Sequence, residues 1–305
     1  MKQSITKNLG IIGAGRLGTT LAAAIYRRKT PGINLVAISS KSRDSLLRAE
    51  KIIRPVKKSM LFTTDNNKCV SEADCIFICT PDDIIEEVCK KITEAGPGAV
   101  KGKLLIHFSG AKTLKVLMAA ENAGAYTASI HPIKSFASIA DSIDSLPGTI
   151  YGVTYPKKNK EKNREFIDCF IAGMEGTIIE VDDEKKSLYH AAACVASNYL
   201  VTLIKYATDI HGSIGIKAED SMRALSGLIE GTFANIKKIG PTAALTGPIA
   251  RGDTGTVAEH LYNFSKYLGP GQDVIYRIMG YSTAKIAYEN GWINKSKLEE
   301  FKKIF

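Results

Sequence analysis

Apolar and polar residues follow two different patterns along this chain, and the pattern changes near Asp183. Up to residue 182, apolar runs of strand length alternate with helical stretches, which is typical of a parallel sheet covered by helices. Beyond residue 183 the pattern is helical, with no convincing strand. We therefore predict an α/β plus all-α fold class, with a doubly wound, mostly parallel sheet at 1–182 and a helical domain at 183–305.

The first apolar run, 9–12, leads directly into a glycine-rich turn and then into an apolar helix. The turn consists of Gly13, Ala14, Gly15, Arg16, Leu17 and Gly18. In such a G-x-G-x-x-G turn the first glycine allows a tight bend, the second admits a pyrophosphate, and the third lets the helix pack on the strand. The helix N-terminus then faces the phosphates. We predict a Rossmann-like dinucleotide site here; a glycine-rich turn without a ligand is the alternative.

The end of the second predicted strand, 33–38, indicates which dinucleotide is bound. An NAD site carries a carboxylate about 20 residues beyond the glycines, where it accepts hydrogen bonds from the ribose. The residues at this place are Ser39, Ser40, Lys41 and Arg43. Hydroxyls and cations bind a 2′-phosphate that a carboxylate would repel, so the predicted cofactor is NADP. An ordinary basic helix start is the alternative.

Polar residues also follow the strand predicted at 74–79. Ligands of open α/β sheets gather at the carboxyl ends of the strands, so we expect Thr80 and Pro81 beside the nicotinamide ribose. Asp82 or Asp83 is expected only to cap the next helix.

The next two predicted strands, 103–108 and 126–130, end in histidines. His107 is followed by Ser109, which we count among the cofactor contacts, and His131 is followed by Lys134. An imidazole that titrates near neutral pH could donate to a substrate oxygen. A purely structural role is the alternative for each histidine.

A long helix is predicted at 184–211, with Asp182 or Asp183 as its N-cap. Five of its side chains share one face at helical spacing: His190, Cys194, Ser197, Asn198 and Val201. This face is either a wall of the substrate site or a surface that packs in a dimer or bundle.

The loop 245–253, between two later helices, presents Thr246 and Arg251. A guanidinium can bind a carboxylate through two parallel hydrogen bonds, so Arg251 is a candidate substrate ligand. An ion pair between Arg251 and Asp253 that only shapes the turn is the alternative. After a last predicted helix, 273–289, we expect a polar tail.

Composition and charge exclude several classes of protein. The 305 residues carry a net charge of +10, but the lysines are scattered and not interleaved with aromatic residues, so we expect no nucleic-acid partner. The most apolar late stretch, 191–204, is too short to span a bilayer, so no membrane partner is expected. The six cysteines form no C-x-x-C pair and no metal-ligand spacing, which indicates a reducing cytoplasm.

Six motifs together resemble a family of two-domain Rossmann-like oxidoreductases. Its helical C-terminal domain is of the 6-phosphogluconate dehydrogenase type and is often described as of unknown function. The motifs, spread over 8–289, are GIIGAGRLG, TPDD, HFSGA, IHPIKSF, YHAAACVASNYLV and LTGPIARGD. The resemblance implies an NADP-dependent reductase with its active site between the domains and a homodimer formed through the helices. It therefore makes 183–305 the substrate-binding and dimerisation domain.

Relatives of this family include ketopantoate reductases, pyrroline-5-carboxylate reductases and 3-hydroxyacid dehydrogenases. Many of the last group carry a Lys-x-x-x-Asn pair on the long helix. In this sequence His190 and Cys194 hold that spacing, with Asn198 one turn later.

The resulting prediction is hydride transfer from NADPH to the carbonyl carbon of a small 2-oxo acid, of which ketopantoate is the most specific candidate. His190 would protonate the developing alkoxide, Asn198 would orient the substrate, and Arg251 would hold its carboxylate. His131 or Lys134 is the alternative acid. An imine reductase of the pyrroline carboxylate type and a non-catalytic NADP-binding regulator are the other classes that the sequence leaves open.

Overall fold

The computed structural model describes residues 6–54, 59–96, 98–158 and 160–305, apart from the side chain of Lys162. The chain forms two compact units, Met1–Asn198 and Tyr199–Phe305. The first contains all the strands of the described residues, and the second is helical.

The first unit is built on an eight-stranded sheet with the strand order β3-β2-β1-β4-β5-β6-β7-β8. Strands β1 to β6 run parallel, β7 is antiparallel to β6, and β8 is parallel to β7. The strands are β1 (Lys7–Ile12), β2 (Ile33–Ser39), β3 (Leu61–Thr63), β4 (Cys75–Ile78), β5 (Leu104–His107), β6 (Tyr126–Pro132), β7 (Ile150–Thr154) and β8 (Thr177–Glu180). The predicted fold class is confirmed.

Helices cover both faces of this sheet. Successive β1 side chains belong to opposite cores, since Ile11 packs in one apolar cluster and Ile12 in the other. The helices of this unit are α1 (Arg16–Arg28), α2 (Arg43–Ile53), α3 (Asn66–Ser71), α4 (Ile85–Thr93), α5 (Met118–Asn122), α6 (Ile139–Asp144), α7 (Lys160–Gly173) and α8 (Lys186–Cys194). Each large apolar side chain that these layers bury contributes about 1.5–3 kcal/mol.

The second unit contains α9 (Leu200–Ser213), α10 (Ala218–Ile239), α11 (Thr254–Tyr267), α12 (Val274–Glu289) and α13 (Lys295–Ile304). Its apolar core comes from α11 to α13. The expectation of a polar tail is wrong, because α13 buries Phe301 completely. Leu298 and Ile304 pack against the same core, but three apolar residues among the lysines and glutamates of a ten-residue helix gave too weak a periodicity to identify it.

The long helix predicted at 184–211 is not one regular α-helix. A 3₁₀ turn (Asp183–Lys185) precedes α8, and a π-helical turn (Val195–Tyr199) separates α8 from α9. Asp182 caps the start as predicted, since its carboxylate accepts a hydrogen bond from the Glu184 N–H at 2.8 Å. The division into compact units falls inside the π turn, whereas residue 183 marks the start of the helical stretch.

By length and composition alone, one helical stretch of the described residues, Asp183–Ser213, could cross a membrane. It is longer than the apolar segment 191–204 on which our expectation was based. Its most apolar window has a mean hydropathy of only 1.2, and Lys186 and Lys205 lie within the stretch. The evidence for a membrane span is therefore weak.

Candidate active site

The glycine turn between β1 and α1 has the geometry that its sequence predicts. Gly13 has φ +109°, and a Cβ there would lie 2.6 Å from the Cys79 carbonyl oxygen. A Cβ on Gly18 would lie 1.9 Å from the Gly13 carbonyl oxygen, because α1 starts against the turn. A Cβ on Gly15 would meet no atom of the described residues within 4 Å. The protein's own packing thus requires Gly13 and Gly18, while the space beside Gly15 is open.

The start of α1 also suits an anion. Gly15 is the N-cap residue, no side chain caps the helix, and no acidic residue lies in the first turn. Arg16 and Leu17 form that turn behind the buried Ala14. The N–H groups of a first helical turn have no partner within the helix, so they remain available to a phosphate.

The residues predicted to bind a 2′-phosphate have different environments. Ser39 is fully buried and donates a hydrogen bond to Asn66 Oδ1 at 2.8 Å, so the structure contradicts its predicted cofactor contact. As the last residue of β2, it points its side chain into the sheet packing and not to the edge. Ser40 is half-buried, and Lys41 and Arg43 are exposed at the start of α2. Neither cation forms an ion pair with another described residue.

Thr80 follows β4 at the carboxyl edge of the sheet, as expected, together with the exposed Pro81. Its hydroxyl oxygen is buried and has no hydrogen-bond partner among the described residues. A buried orphan hydroxyl is costly unless a ligand or water completes its hydrogen bonding. Thr80 is therefore consistent with the predicted place of the nucleotide.

Neither Asp82 nor Asp83 caps α4, which corrects our expectation. The N-cap residue is Ile84, without a side-chain hydrogen bond, and Asp82 Oδ2 accepts a hydrogen bond from Ser109 Oγ at 2.5 Å. Ser109 Oγ also accepts from the Ala111 and Lys112 N–H groups, at 3.2 and 2.9 Å. Because these contacts use the whole hydroxyl, Ser109 shapes the loop after β5, and its predicted cofactor contact is not supported.

His107, the last residue of β5, is completely buried. Its Nδ1 accepts a hydrogen bond from the Ser109 N–H at 3.2 Å, which leaves the hydrogen of the neutral ring on Nε2. That Nε2 has no partner among the described residues. Burial, helped by the nearby charge of Lys186, lowers the pKa of His107 to about 3. His107 therefore stays neutral and serves neither as an acid nor as a base near pH 7.

His131, near the end of β6, and His190, on α8, come together over Gly110. The two ring centroids are 5.5 Å apart, and the planes are nearly perpendicular. A Cβ on Gly110 would lie 2.6 Å from His190 Nδ1 and 2.9 Å from His131 Nε2. The two imidazoles can face the same point only because residue 110 has no side chain.

The two histidines differ in their hydrogen bonding. His131 Nδ1 lies 3.0 Å from the Tyr189 hydroxyl, whereas His190 Nε2 lies 3.6 Å from Cys194 Sγ. His190 Nδ1 is buried and has no partner among the described residues. Burial, followed by the charges of His190 and Lys186, lowers the pKa of His131 to about 4.

Lys186, at the start of α8, is a site residue that the sequence analysis missed. Its side chain is completely buried, and Nζ donates a hydrogen bond to Ser129 Oγ on β6 at 2.7 Å. Burial lowers its pKa to about 8, although Asp183 and Asp82 act in the opposite direction. The available signal was its spacing, because Lys186 lies one helical turn before His190.

The remaining candidates on the long helical stretch are not on a common α-helical face. The π turn adds a residue to one helical turn, so Ser197 and Asn198 are rotated away from the register that the sequence predicted for them with His190. Both are exposed. Lys134, beyond β6, is half-buried and forms no ion pair within the described residues.

In the helical unit, Thr246 and Arg251 lie at the surface of their loop. The alternative ion pair of Arg251 with Asp253 is not formed. Asp253 instead caps α11, accepting hydrogen bonds from the Thr256 N–H and hydroxyl at 3.0 and 2.7 Å. The Arg251 guanidinium forms no ion pair within the described part of the chain.

Family models match two successive parts of the chain. Residues 2–132 match a Rossmann-like domain, and residues 157–283 match a domain of unknown function, DUF2520. No curated protein matches the chain.

Solved structures share the two-domain fold. Protein TM1727 from Thermotoga maritima is 22% identical, with a TM-score of 0.68 over 92% of this chain and 99% of its own. Protein BF3122 from Bacteroides fragilis, assigned as an NADP oxidoreductase, is 20% identical, with a TM-score of 0.67 over 92% and 98%. The pyrroline carboxylate reductase of Plasmodium falciparum, solved with NADP bound, is 17% identical, with a TM-score of 0.57 over 98% and 99%. These matches confirm the Rossmann-like fold from which we predicted NADP as the cofactor.

Proposed function

We propose that this chain, in which a Rossmann-like domain precedes a DUF2520 domain, is an NADPH-dependent reductase of a small 2-oxo acid. The first substrate to test is 2-dehydropantoate, which would place the protein in pantothenate biosynthesis in the cytoplasm. One observation carries the proposal. The glycine turn, the orphan Thr80 hydroxyl and His131 lie at the carboxyl ends of the parallel strands β1, β4 and β6, and therefore at one edge of the sheet, where His190 of α8 contacts His131.

The residues at this edge fit NADPH, which supplies the hydride when bound. The first turn of α1 and the open side of Gly15 would hold the pyrophosphate. Lys41, Arg43 and the Ser40 hydroxyl would hold the 2′-phosphate. The similarity to the B. fragilis and P. falciparum proteins supports this choice of cofactor.

The protein's own groups would stabilise the charge that develops on the carbonyl oxygen. His190 is the first candidate acid, because its Nδ1 is buried and unpartnered. Lys186 holds a proton close to neutral pH, since its pKa is about 8, and it would act through its neighbours because no part of it is exposed. Arg251 would hold the substrate carboxylate. The predicted role of Asn198 in orienting the substrate is not kept, because the π turn rotates Asn198 away from His190.

A second candidate function is imine reduction of the pyrroline-5-carboxylate type, which is favoured by the fold similarity to the P. falciparum enzyme. An imine substrate can arrive protonated, so it needs no strong acid from the protein. It would therefore tolerate His190→Ala better than a carbonyl substrate would. A non-catalytic NADP-binding regulator would bind the cofactor but would not oxidise it with any of the substrates tested.

The deciding experiment measures NADPH oxidation with 2-dehydropantoate, other 2-oxo acids and pyrroline-5-carboxylate, with NADH in parallel. We expect turnover of a 2-oxo acid, and a loss of about 100-fold in kcat/KM in His190→Ala and Arg251→Ala at unchanged NADPH affinity. Arg223→Ala, at an exposed arginine of α10, is the matched control. No turnover of any 2-oxo acid, with NADPH binding intact, would contradict the proposal.

A further inference from the structure

We infer that Tyr189 is a positioning residue that fixes the tautomer of His131, so that the imidazole presents an Nε2–H donor to an oxygen atom of the substrate. The tautomer follows from contacts within the first unit. The substrate class, a carbonyl and not an iminium ion, rests in addition on the proposed function.

The phenol of Tyr189, on α8, contacts His131 on β6 beside Gly152 on β7. Its hydroxyl lies 3.0 Å from His131 Nδ1, and the rings meet edge to face with centroids 5.6 Å apart. Gly152 on β7 pairs with His131 across the sheet. A Cβ on Gly152 would lie 2.2 Å from the Tyr189 hydroxyl oxygen, so the phenol fits at this position only because residue 152 is glycine.

The direction of the Tyr189–His131 hydrogen bond follows from proton counting. Burial raises the pKa of the Tyr189 phenol and lowers that of His131 to about 4, so both groups are neutral near pH 7. Among the described residues, the only acceptor for the phenol hydrogen is His131 Nδ1. The phenol therefore donates to Nδ1, and the single hydrogen of the neutral imidazole is on Nε2.

Nε2 of His131 and Nδ1 of His190 lie on the same side of Gly110, close to each other's ring. Both His131 Nε2 and His190 Nδ1 lie within 3 Å of the position that a Gly110 Cβ would occupy. No hydrogen bond joins these two nitrogens in the described structure, and His190 Nδ1 is unpartnered. An acceptor atom of a ligand within reach of His131 Nε2 would complete the hydrogen bonding of this donor.

This donor discriminates between substrates by chemistry. A carbonyl oxygen accepts a hydrogen bond, and accepts it more strongly as negative charge develops during reduction. A neutral imidazole can polarise a carbonyl in this way without giving up its proton. An iminium N–H is itself a donor, so the Nε2–H group offers it nothing. The Tyr189–His131 pair therefore favours C=O over protonated C=N.

The first test reads the tautomer without any substrate. In ¹⁵N-labelled protein, long-range ¹H–¹⁵N correlation of the histidine rings should show His131 as the Nε2–H tautomer. Tyr189→Phe keeps the ring contact but removes the hydroxyl, and should yield a mixture of tautomers. Tyr262→Phe, at an exposed tyrosine of α11, should change nothing. An Nδ1–H tautomer in the wild type, or an unchanged tautomer in Tyr189→Phe, would overturn the inference.

The second test is kinetic. Tyr189→Phe should lower kcat for the carbonyl substrate about tenfold, with KM and NADPH affinity unchanged, and should lower the ratio of carbonyl to imine turnover. Gly152→Ala, which displaces the phenol, should repeat both effects. An unchanged kcat would overturn the catalytic part of the inference. If the wild type reduces no carbonyl while the tautomer switches as expected, only the proposed function and the substrate class fail.

Discussion

At the scale of single residues, the carboxyl edge of the sheet concentrates ionisable groups whose charged forms are disfavoured. His107, His131 and Lys186 all have lowered pKa values, and in each case burial is the main cause. Shifts of this kind cluster at functional sites because catalysis needs groups that can change protonation or remain neutral donors. As a consequence of these buried groups, the free energy of unfolding depends on pH.

We predict that the fold is acid-labile because of His107. Its pKa is about 3 in the folded chain and about 6.5 in the unfolded one, so the unfolded state binds more protons below pH 6.5. Stability is therefore fully present above pH 6.5 and falls as the pH decreases toward 3. Between pH 7 and 4.5, this one group should cost about 2–3 kcal/mol of unfolding free energy.

Urea denaturation at pH 7 and 4.5 measures this loss. His107→Asn keeps an acceptor for the Ser109 N–H and removes the titration, so it should lose less stability over this range than the wild type. His260→Asn, at an exposed histidine, is the control. An equal loss in the wild type and His107→Asn would show that His107 is not the cause.

At the scale of elements, the turn between β1 and α1 separates glycines that the fold needs from one that a ligand needs. Gly15→Ala introduces a Cβ into open space at ordinary dihedral angles, so the unfolding free energy should stay nearly unchanged. Its methyl group would nevertheless stand where the pyrophosphate approaches. We expect NADPH affinity to fall at least about tenfold, as measured by fluorescence titration.

Gly18→Ala is the matched opposite case. Its Cβ would lie 1.9 Å from a backbone oxygen, so α1 must move away from the turn. We expect a loss of about 1–3 kcal/mol in unfolding free energy, which urea denaturation of both variants would detect. Normal NADPH binding by Gly15→Ala would contradict the proposal that this turn binds the pyrophosphate.

Element type was predictable where periodicity and glycine chemistry act together. Each apolar run predicted as a strand contains one in the structure, because a buried parallel strand is a short continuous apolar segment. The π turn at Val195–Tyr199 was not predictable, since its residues also fit an α-helix. The helices α3 and α6 are each six residues long, too short to show a period.

Within the site, the sequence predicted strand ends but not the direction of side chains. It identified His131 and Thr80 because residues after parallel strands share one edge. It missed Lys186 because a lysine on a helix is usually exposed, and here only the fold buries it beneath Ser129. Asp82 was assigned to a local cap, whereas its actual partner, Ser109, is distant in sequence. A contact between residues this far apart in the sequence cannot be predicted from the local pattern of apolar and polar residues.

At the scale of the whole molecule, α9 and α10 expose more apolar surface than a monomer usually keeps in water. No described residue of α9 is buried, and in α10 only Ser221 is. Val201, Leu228 and Phe233 are 67%, 66% and 61% exposed. Apolar side chains repeated along two helices indicate a surface that a partner covers.

We propose that the partner is a second copy of this chain, as the family resemblance implies. Charged residues such as Glu230 and Lys237 lie between the apolar positions of α10, close to Phe233. Burying them in lipid would be costly, whereas a protein interface can keep them at a hydrated rim. A homodimer therefore explains this surface better than a bilayer does.

Light scattering coupled to gel filtration should give twice the chain mass. Leu228→Lys combined with Phe233→Lys should give a monomer, because two ammonium groups cannot be desolvated in an apolar interface. Met118→Lys, at an exposed position of α5 in the other unit, is the control and should leave the dimer intact. A monomeric wild type, or flotation with phospholipid vesicles, would contradict the homodimer. Since the glycine turn lies in the first unit, the double variant should still bind NADPH, which separates loss of assembly from loss of folding.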